Sequence, residues 1–455
     1  MRKAWLIAAV AVLAAGGALA AVIVSSNDGN SAQPAASSTG PGGSGGTPPS
    51  TGSTTTGGTT TGPTTGALPP PTATTSPVPA TTSKLPPPPG PHSSRGKVLT
   101  VGVVDDSLAQ QDPASAKRLV DLSHQAGFDS VVLSASWSRG RTKPQSGSLR
   151  GIKNVARAAR ADHMRLFLVA WNGLSTNTPR NGTERGQFAK FTAALVEALP
   201  SVHGVIVGNE PNLNTFWVPQ FGRGGRDVAA AAYEDLLART YDAIKAESRG
   251  VEVIGVGLSP RGADRPRGIR PTHSPTAFIR DLGRVYRASG RDRPLMDAFA
   301  FHPYMQSPKV PPTVTHPRTT EITLADYPKL VTLLDEAFRG THQRGRTLPI
   351  IYSEFGVQTV VPESKLSAYQ EGTSPTAEEG VSTATQAAYY RQALALAYCQ
   401  PTVRGIFIFH TFDEPSLNGW QSGLYYADGT PKPSVRGFRH AVGDLRDGSL
   451  TKCGR

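Results

Sequence analysis

From residue 97 onward, short apolar runs alternate with longer amphipathic stretches, and the alternation repeats eight times. The first four runs are KVLTVGVV (97–104), FDSVVLSASW (128–137), MRLFLVAW (164–171) and VHGVIVGN (202–209). The second four are VEVIGVGLS (251–259), MDAFAFHPY (296–304), LPIIYSEFG (348–356) and RGIFIFHTF (404–412). They are rich in Val, Ile and Phe, as parallel strands covered on both faces should be. Each precedes a stretch of helical pattern, such as DVAAAAYEDLLARTYDAIKAESRG after the fourth. Strand–helix alternation argues a parallel sheet, and eight repeats argue a single closed (β/α)8 TIM barrel over 97–455. An open doubly wound sheet is the competitor. It usually carries a glycine-rich phosphate loop after its first strand, and VGVVDDSLAQQ is not one. The stretch 357–384 fits no element of the pattern.

The first 96 residues read differently. Residues 4–24 are uncharged and apolar and follow Arg2 and Lys3, the pattern of a signal peptide or signal anchor within 1–24. Ala18-Leu19-Ala20 resembles a cleavage site, whereas a run extending to Val24 is about long enough to span a bilayer. Either way the basic flank orients the rest of the chain outward, so an extracellular or cell-surface location is expected. Residues 25–96 are almost wholly Ser, Thr, Gly, Pro and Ala, too poor in apolar side chains to offset the entropy of ordering them. A disordered tether is expected there, and the membrane enters only through the N-terminal segment.

Barrel active sites lie where strands end and βα loops begin. The fourth run ends in Asn209-Glu210-Pro211 and the seventh in Ser353-Glu354-Phe355-Gly356. The sixth ends in His302-Pro303-Tyr304 and the eighth in His410-Thr411-Phe412. Two carboxylates on one rim suit glycoside hydrolysis, in which one group protonates the leaving oxygen and the other attacks or stabilises the sugar cation. Four tryptophans, Trp137, Trp171, Trp217 and Trp420, fall at or beyond strand ends. Flat amphipathic rings there suit stacking on sugar faces. Pro211 is expected to hold Glu210 in an extended backbone as the strand stops.

The motifs G-N-E-P-N, H-P-Y and S-E-F-G, in that order along the chain, resemble those of the retaining β-glycosidases of the (β/α)8 clan with catalytic glutamates on strands four and seven. That clan holds cellulases, mannanases, xylanases, β-1,3-glucanases and β-xylosidases. GLYYADGTPKPS (423–434) is similar to its closing segment, and the resemblance covers about 97–445. It implies an oligo- or polysaccharide substrate, Glu210 as general acid/base and Glu354 as nucleophile. It further implies Asn209 on the sugar 2-hydroxyl, Tyr304 donating to an ionised Glu354, and His302 on the same floor. Two departures stand out. The clan's arginine near the end of strand two is missing, leaving Arg139 or Arg141 in the following loop. The tryptophan often found at the end of strand eight is replaced by His410 and Phe412.

The net charge of +13 is spread along the chain, so nucleic-acid binding is not read from it. Arg261, Arg265, Arg267 and Arg270 in the loop after strand five make a basic rim that suits either solvation or acidic glycans. Cys399 and Cys453 are most simply a disulfide in an exported protein, with two buried thiols as the alternative. No spacing resembles a zinc site, and no cofactor is called for; a monomer is expected. A transglycosylase, a catalytically silent glycan-binding barrel and a metal hydrolase using His302 and His410 are the competing readings. A metal site would want several histidines converging with carboxylates, and the first strand ends in Val103-Val104-Asp105-Asp106 without a histidine pair.

Overall fold

The computed structural model describes residues 98–372, 375, 379–450 and 453. The leader at 1–24 and the linker at 25–96 therefore lie outside the described residues. Eight strands are present: β1 (Thr100–Val104), β2 (Ser130–Ser136), β3 (Arg165–Trp171) and β4 (Val202–Val207). They continue as β5 (Glu252–Leu258), β6 (Ala298–Phe301), β7 (Ile350–Phe355) and β8 (Val403–Phe409). Between them run α1 (Pro113–Ala126), α2 (Ser146–Ala161), α3 (Gly182–Ala198) and α4 (Ala229–Glu247). The helical layer is completed by α5 (Pro275–Ser289), α6 (Tyr327–Phe338), α7 (Thr383–Cys399) and α8 (Ser434–Arg446).

Every strand pairs in parallel with its sequence neighbours, and β1 pairs with β8 to close the barrel. Local chemistry explains several helix starts. Asp112, Asn181, Ser274 and Ser382 each accept a backbone N–H from the first turn of their helix. Pro113 and Pro275 then occupy first-turn positions where a missing N–H does no harm.

Strand alternation sorts the core into two layers. Val101 and Val103 join the large cluster between sheet and helices, whereas Val104, Val132, Phe167, Ile206, Ile254, Ile351 and Phe407 fill the barrel interior. Phe407 fits because residue 102 is glycine: a Cβ there would lie 2.4 Å from the Phe407 ring. At the closing seam, the Asp105 carboxylate accepts the backbone N–H of Thr411 and of Phe412, each at 3.1 Å, tying the end of β1 to the end of β8.

The described residues of the stretch 357–384, which had no predicted element, link to the loop after β8. Thr359 bridges to Val381, residues Glu363–Ala368 form a 3-10 turn, and Gln370 bridges to Ser416 in the loop after β8. Lys432 and Asp413 form a fully buried ion pair at 2.6 Å. Lys432 also donates to Thr359 and to the Gln421 carbonyl, and Asp413 accepts from Tyr369. Isolated, either charge would be expensive to bury; together and hydrogen-bonded they fix how the two loops meet. Cys399, the last residue of α7, is disulfide-bonded to Cys453, which pins the C-terminal tail as the cysteine count predicts. Among the described residues no helix is long and apolar enough to cross a membrane.

Candidate active site

Inward-facing parity carries past the strand ends to the C-terminal mouth. On β6 the parity of Ala298 and Ala300 continues to His302 and Tyr304, and on β1 that of Val104 continues to Asp106. Glu210 stands three residues beyond β4, and Glu354 is the penultimate residue of β7. All of these groups gather over the aromatic plug of the barrel.

The backbone at Glu210 departs from the sequence expectation. Pro211 does not hold it extended: Glu210 has φ +40° and lies in the left-handed region. A non-glycine residue there, directly before proline, is strained by on the order of 1–3 kcal/mol. Tertiary contacts impose the turn. Gly208 turns first, with φ +84°, and a Cβ on it would lie 2.9 Å from the Tyr233 ring. The Glu210 N–H then donates to the Gly257 carbonyl of β5 at 2.8 Å. Asn212, fully buried, spans to the loop after β5 through the Ser259 N–H and the His273 carbonyl. The glutamate is thus aimed by its neighbours rather than by its proline.

His302 Nδ1 lies 3.1 Å from Glu210 Oε1 and 3.6 Å from Glu354 Oε2. The two carboxylate oxygens are therefore no further apart than those distances laid end to end, and any bend at the nitrogen brings them closer. The Tyr304 hydroxyl donates to Glu354 Oε2 at 3.2 Å.

Electrostatics add a correction. Glu354 is not simply the ionised member: burial pushes it up to about 7, with Glu210 and Asp106 adding to the rise against the pull of His302 and Tyr304. Burial alone would depress His302, but the charge of Glu354 and the bond and charge of Glu210 raise it above the usual imidazole range. Tyr304 is held far above its ordinary value by burial and the two glutamates, so it remains a donor.

The tryptophans divide. Trp137 and Trp217 are each 1% exposed and belong to the sheet–helix layer, Trp137 edge-on to Phe188 and Trp217 edge-on to Tyr233. Neither stacks at the rim; the chain turns outward after β2 and after the β4 loop and packs both rings against helices. Trp171 and Trp420 belong to the interior cluster with Tyr304 and Phe409. The Trp420 ring lies 5.3 Å from Tyr304 and 5.6 Å from Phe409. Buried Trp171 Nε1 finds no acceptor among the described residues. His410 is not a polar rim group either. Its ring lies tilted by 40° against that of Phe409 with centroids 3.4 Å apart, makes no hydrogen bond among the described residues, and burial pushes it down to about 3, so it is neutral. Asn209 is half-buried, and its side chain has no hydrogen bond among the described residues.

The arginines are engaged elsewhere. Arg139 pairs with Glu184 at 3.1 Å and donates to the Thr176 and Thr178 carbonyls, and Arg141 is exposed with its carbonyl taken by Trp137. Arg261 pairs with Glu321 at 2.9 Å, while Arg265, Arg267 and Arg270 are exposed. The residue missed from sequence is Asp106. Its carboxylate accepts the Ser134 N–H at 2.6 Å, burial raises its pKa, and its charge reaches Glu354. A signal was there: Asp106 shares the parity of inward Val104. Among the described residues no group of three or more His, Cys, Asp or Glu side chains is arranged to hold a metal ion.

These features define a closed (β/α)8 barrel with paired carboxylates at its C-terminal mouth. No protein-family model matches the chain, and no curated protein matches it. Among solved structures it is similar to GH5_18 from Streptomyces cattleya in complex with GlcNAc, with TM-score 0.53 and 17% identity over 79% of this chain and 83% of that one. A variant of the same protein in complex with Manb1-4GlcNAc gives TM-score 0.52 and 17% identity over 78% and 83%. At that identity the likeness establishes the shared barrel fold.

Proposed function

We propose that the chain is a retaining glycoside hydrolase that cleaves an O-glycosidic bond of an extracellular or cell-wall saccharide by double displacement. The observation that carries the reading is the Glu210–His302–Glu354 bridge, with Tyr304 on the second glutamate. In this reading Glu354 attacks the anomeric carbon while Glu210 gives its proton to the leaving oxygen. Water activated by Glu210 then releases the sugar from Glu354. Tyr304, and His302 when it carries a proton, stabilise the ionised form of Glu354 that attack requires. Asn209 is free to meet a sugar hydroxyl, and the unpartnered Trp171 Nε1 and the Trp420 ring line the same mouth. The similar structures hold sugars, which agrees with the reading.

The test is covalent trapping. A panel of activated 2-deoxy-2-fluoro glycosides is incubated with the protein, and the modified residue is mapped by peptide mass spectrometry. An adduct on Glu354 is expected, and the reactive sugar identifies the substrate. An adduct on another residue, or inactivation-resistant turnover by Glu354→Gln, refutes the assignment.

A further inference from the structure

At the opposite end of the barrel from the glutamates, the αβ loops line an open cleft of about 730 Å³. It is walled by the second half of α2, the α2–β3 turn and the α3–β4 turn. Lys153, Arg157 and Arg160 fall at i, i+4 and i+7 along α2 and so form one stripe, and all three are exposed. His163, Arg165 and His203 continue the lining across the floor, and no Asp or Glu among the described residues lines it.

The stripe has no counter-charge of its own. Lys153 and Arg160 make no ion pair or side-chain hydrogen bond among the described residues, Arg157 reaches only Asn154, and Arg165 donates to Thr100 at 2.9 Å and faces the charge of Asp129, which is itself paired with Arg446. Asp162, next in sequence to His163, is held by Lys117 at 3.3 Å, and Glu252 is paired with Arg404. Like charges at helical spacing repel, so this arrangement costs stability unless an anion neutralises it. On the floor of the cleft, burial and then Arg165 and Arg404 lower the pKa of His203.

We propose that this cleft is an anion-binding site for a linear phosphate-bearing polymer. Guanidinium forks match phosphate oxygens in pairs, and a row of cations in a concave groove suits repeating phosphates. A bilayer surface is disfavoured because none of the exposed large apolar residues lines the cleft, and interfacial binding wants apolar side chains to insert. A polymer held here would leave the mouth at the other end of the barrel open to substrate.

The full chain is titrated with fluorescent linear polyphosphate at low and at physiological salt. Saturable binding that weakens as salt rises is expected. The triple variant Lys153→Gln, Arg157→Gln, Arg160→Gln should bind at least about tenfold more weakly, with thermal unfolding no lower than the parent's. A charge-matched variant, Arg265→Gln, Arg267→Gln, Arg270→Gln, should keep the parental affinity. The proposal is overturned if the parent does not bind, if the triple variant binds like the parent, or if the charge-matched variant loses as much. It is equally overturned, in favour of a membrane surface, if the triple variant loses binding only to phosphatidylglycerol vesicles.

Discussion

The Asp106→Asn exchange tests the electrostatics of the mouth most directly. Asparagine keeps an acceptor for the Ser134 N–H at the same place, so the turn after β1 should persist while the charge disappears. Glu354 sits at about 7 because burial and the negative charges of Glu210 and Asp106 outweigh His302 and Tyr304. One unit charge roughly 8–16 Å away, at an effective dielectric near 20, is worth on the order of 1–2 kcal/mol, or about one pH unit. Burial also raises Asp106, which makes that full unit an upper bound on the effect. The sign is fixed: removing a negative neighbour favours ionised Glu354 and lowers its pKa. The assay is the rate of covalent labelling by an activated fluoroglycoside against pH, which rises as Glu354 ionises. The parent should reach half-maximal rate near the about 7 given by burial. The variant should reach it at about 6–6.5. An unmoved midpoint, or one displaced upward, would refute the claim that Asp106 acts on Glu354.

Glu210→Gln should lower kcat about 10²–10⁴-fold on substrates with poor leaving groups and far less on dinitrophenyl glycosides, which need no proton; equal losses on both would remove Glu210 from the acid role. Lys432→Met should destabilise the fold by about 3–5 kcal/mol, because Asp413 is left buried without its cation. Burial already raises Asp413, and without Lys432 the folded carboxyl would hold its proton at pH values where the unfolded one has lost it. The variant should therefore unfold at lower temperature at pH 8 than at pH 5, as scanning calorimetry can measure. Trp420→Ala should raise KM several-fold for a saccharide, whereas Trp217→Phe should lower thermal stability and leave KM alone; the reverse pattern would place the sugar-facing aromatics wrongly.

Much of the architecture was legible in the chain. Eight apolar runs of strand length, each followed by a helical stretch, specify the barrel because burial on both strand faces and right-handed crossover leave few other closures. The strand-end rule then selected Glu210, His302, Tyr304 and Glu354, and these four do converge. The disulfide was likewise readable, since two cysteines allow a single pairing.

Tertiary structure alone decided the rest. The left-handed turn at Glu210 contradicts the local preference of a residue before proline, and contacts from Tyr233 and Gly257 override it. Trp137 and Trp217 sit at or beyond strand ends as Trp171 and Trp420 do, yet only the path of the chain there determines whether a ring meets a helix or the mouth. Asp106 gains its significance from Glu354, nearly two hundred and fifty residues away along the chain (from position 106 to 354). Periodicity is a property of neighbours in sequence, so the sequence by itself determined the elements and their inward faces. Strain, burial and charge coupling arise between residues distant in sequence, and only the closed barrel brings those together.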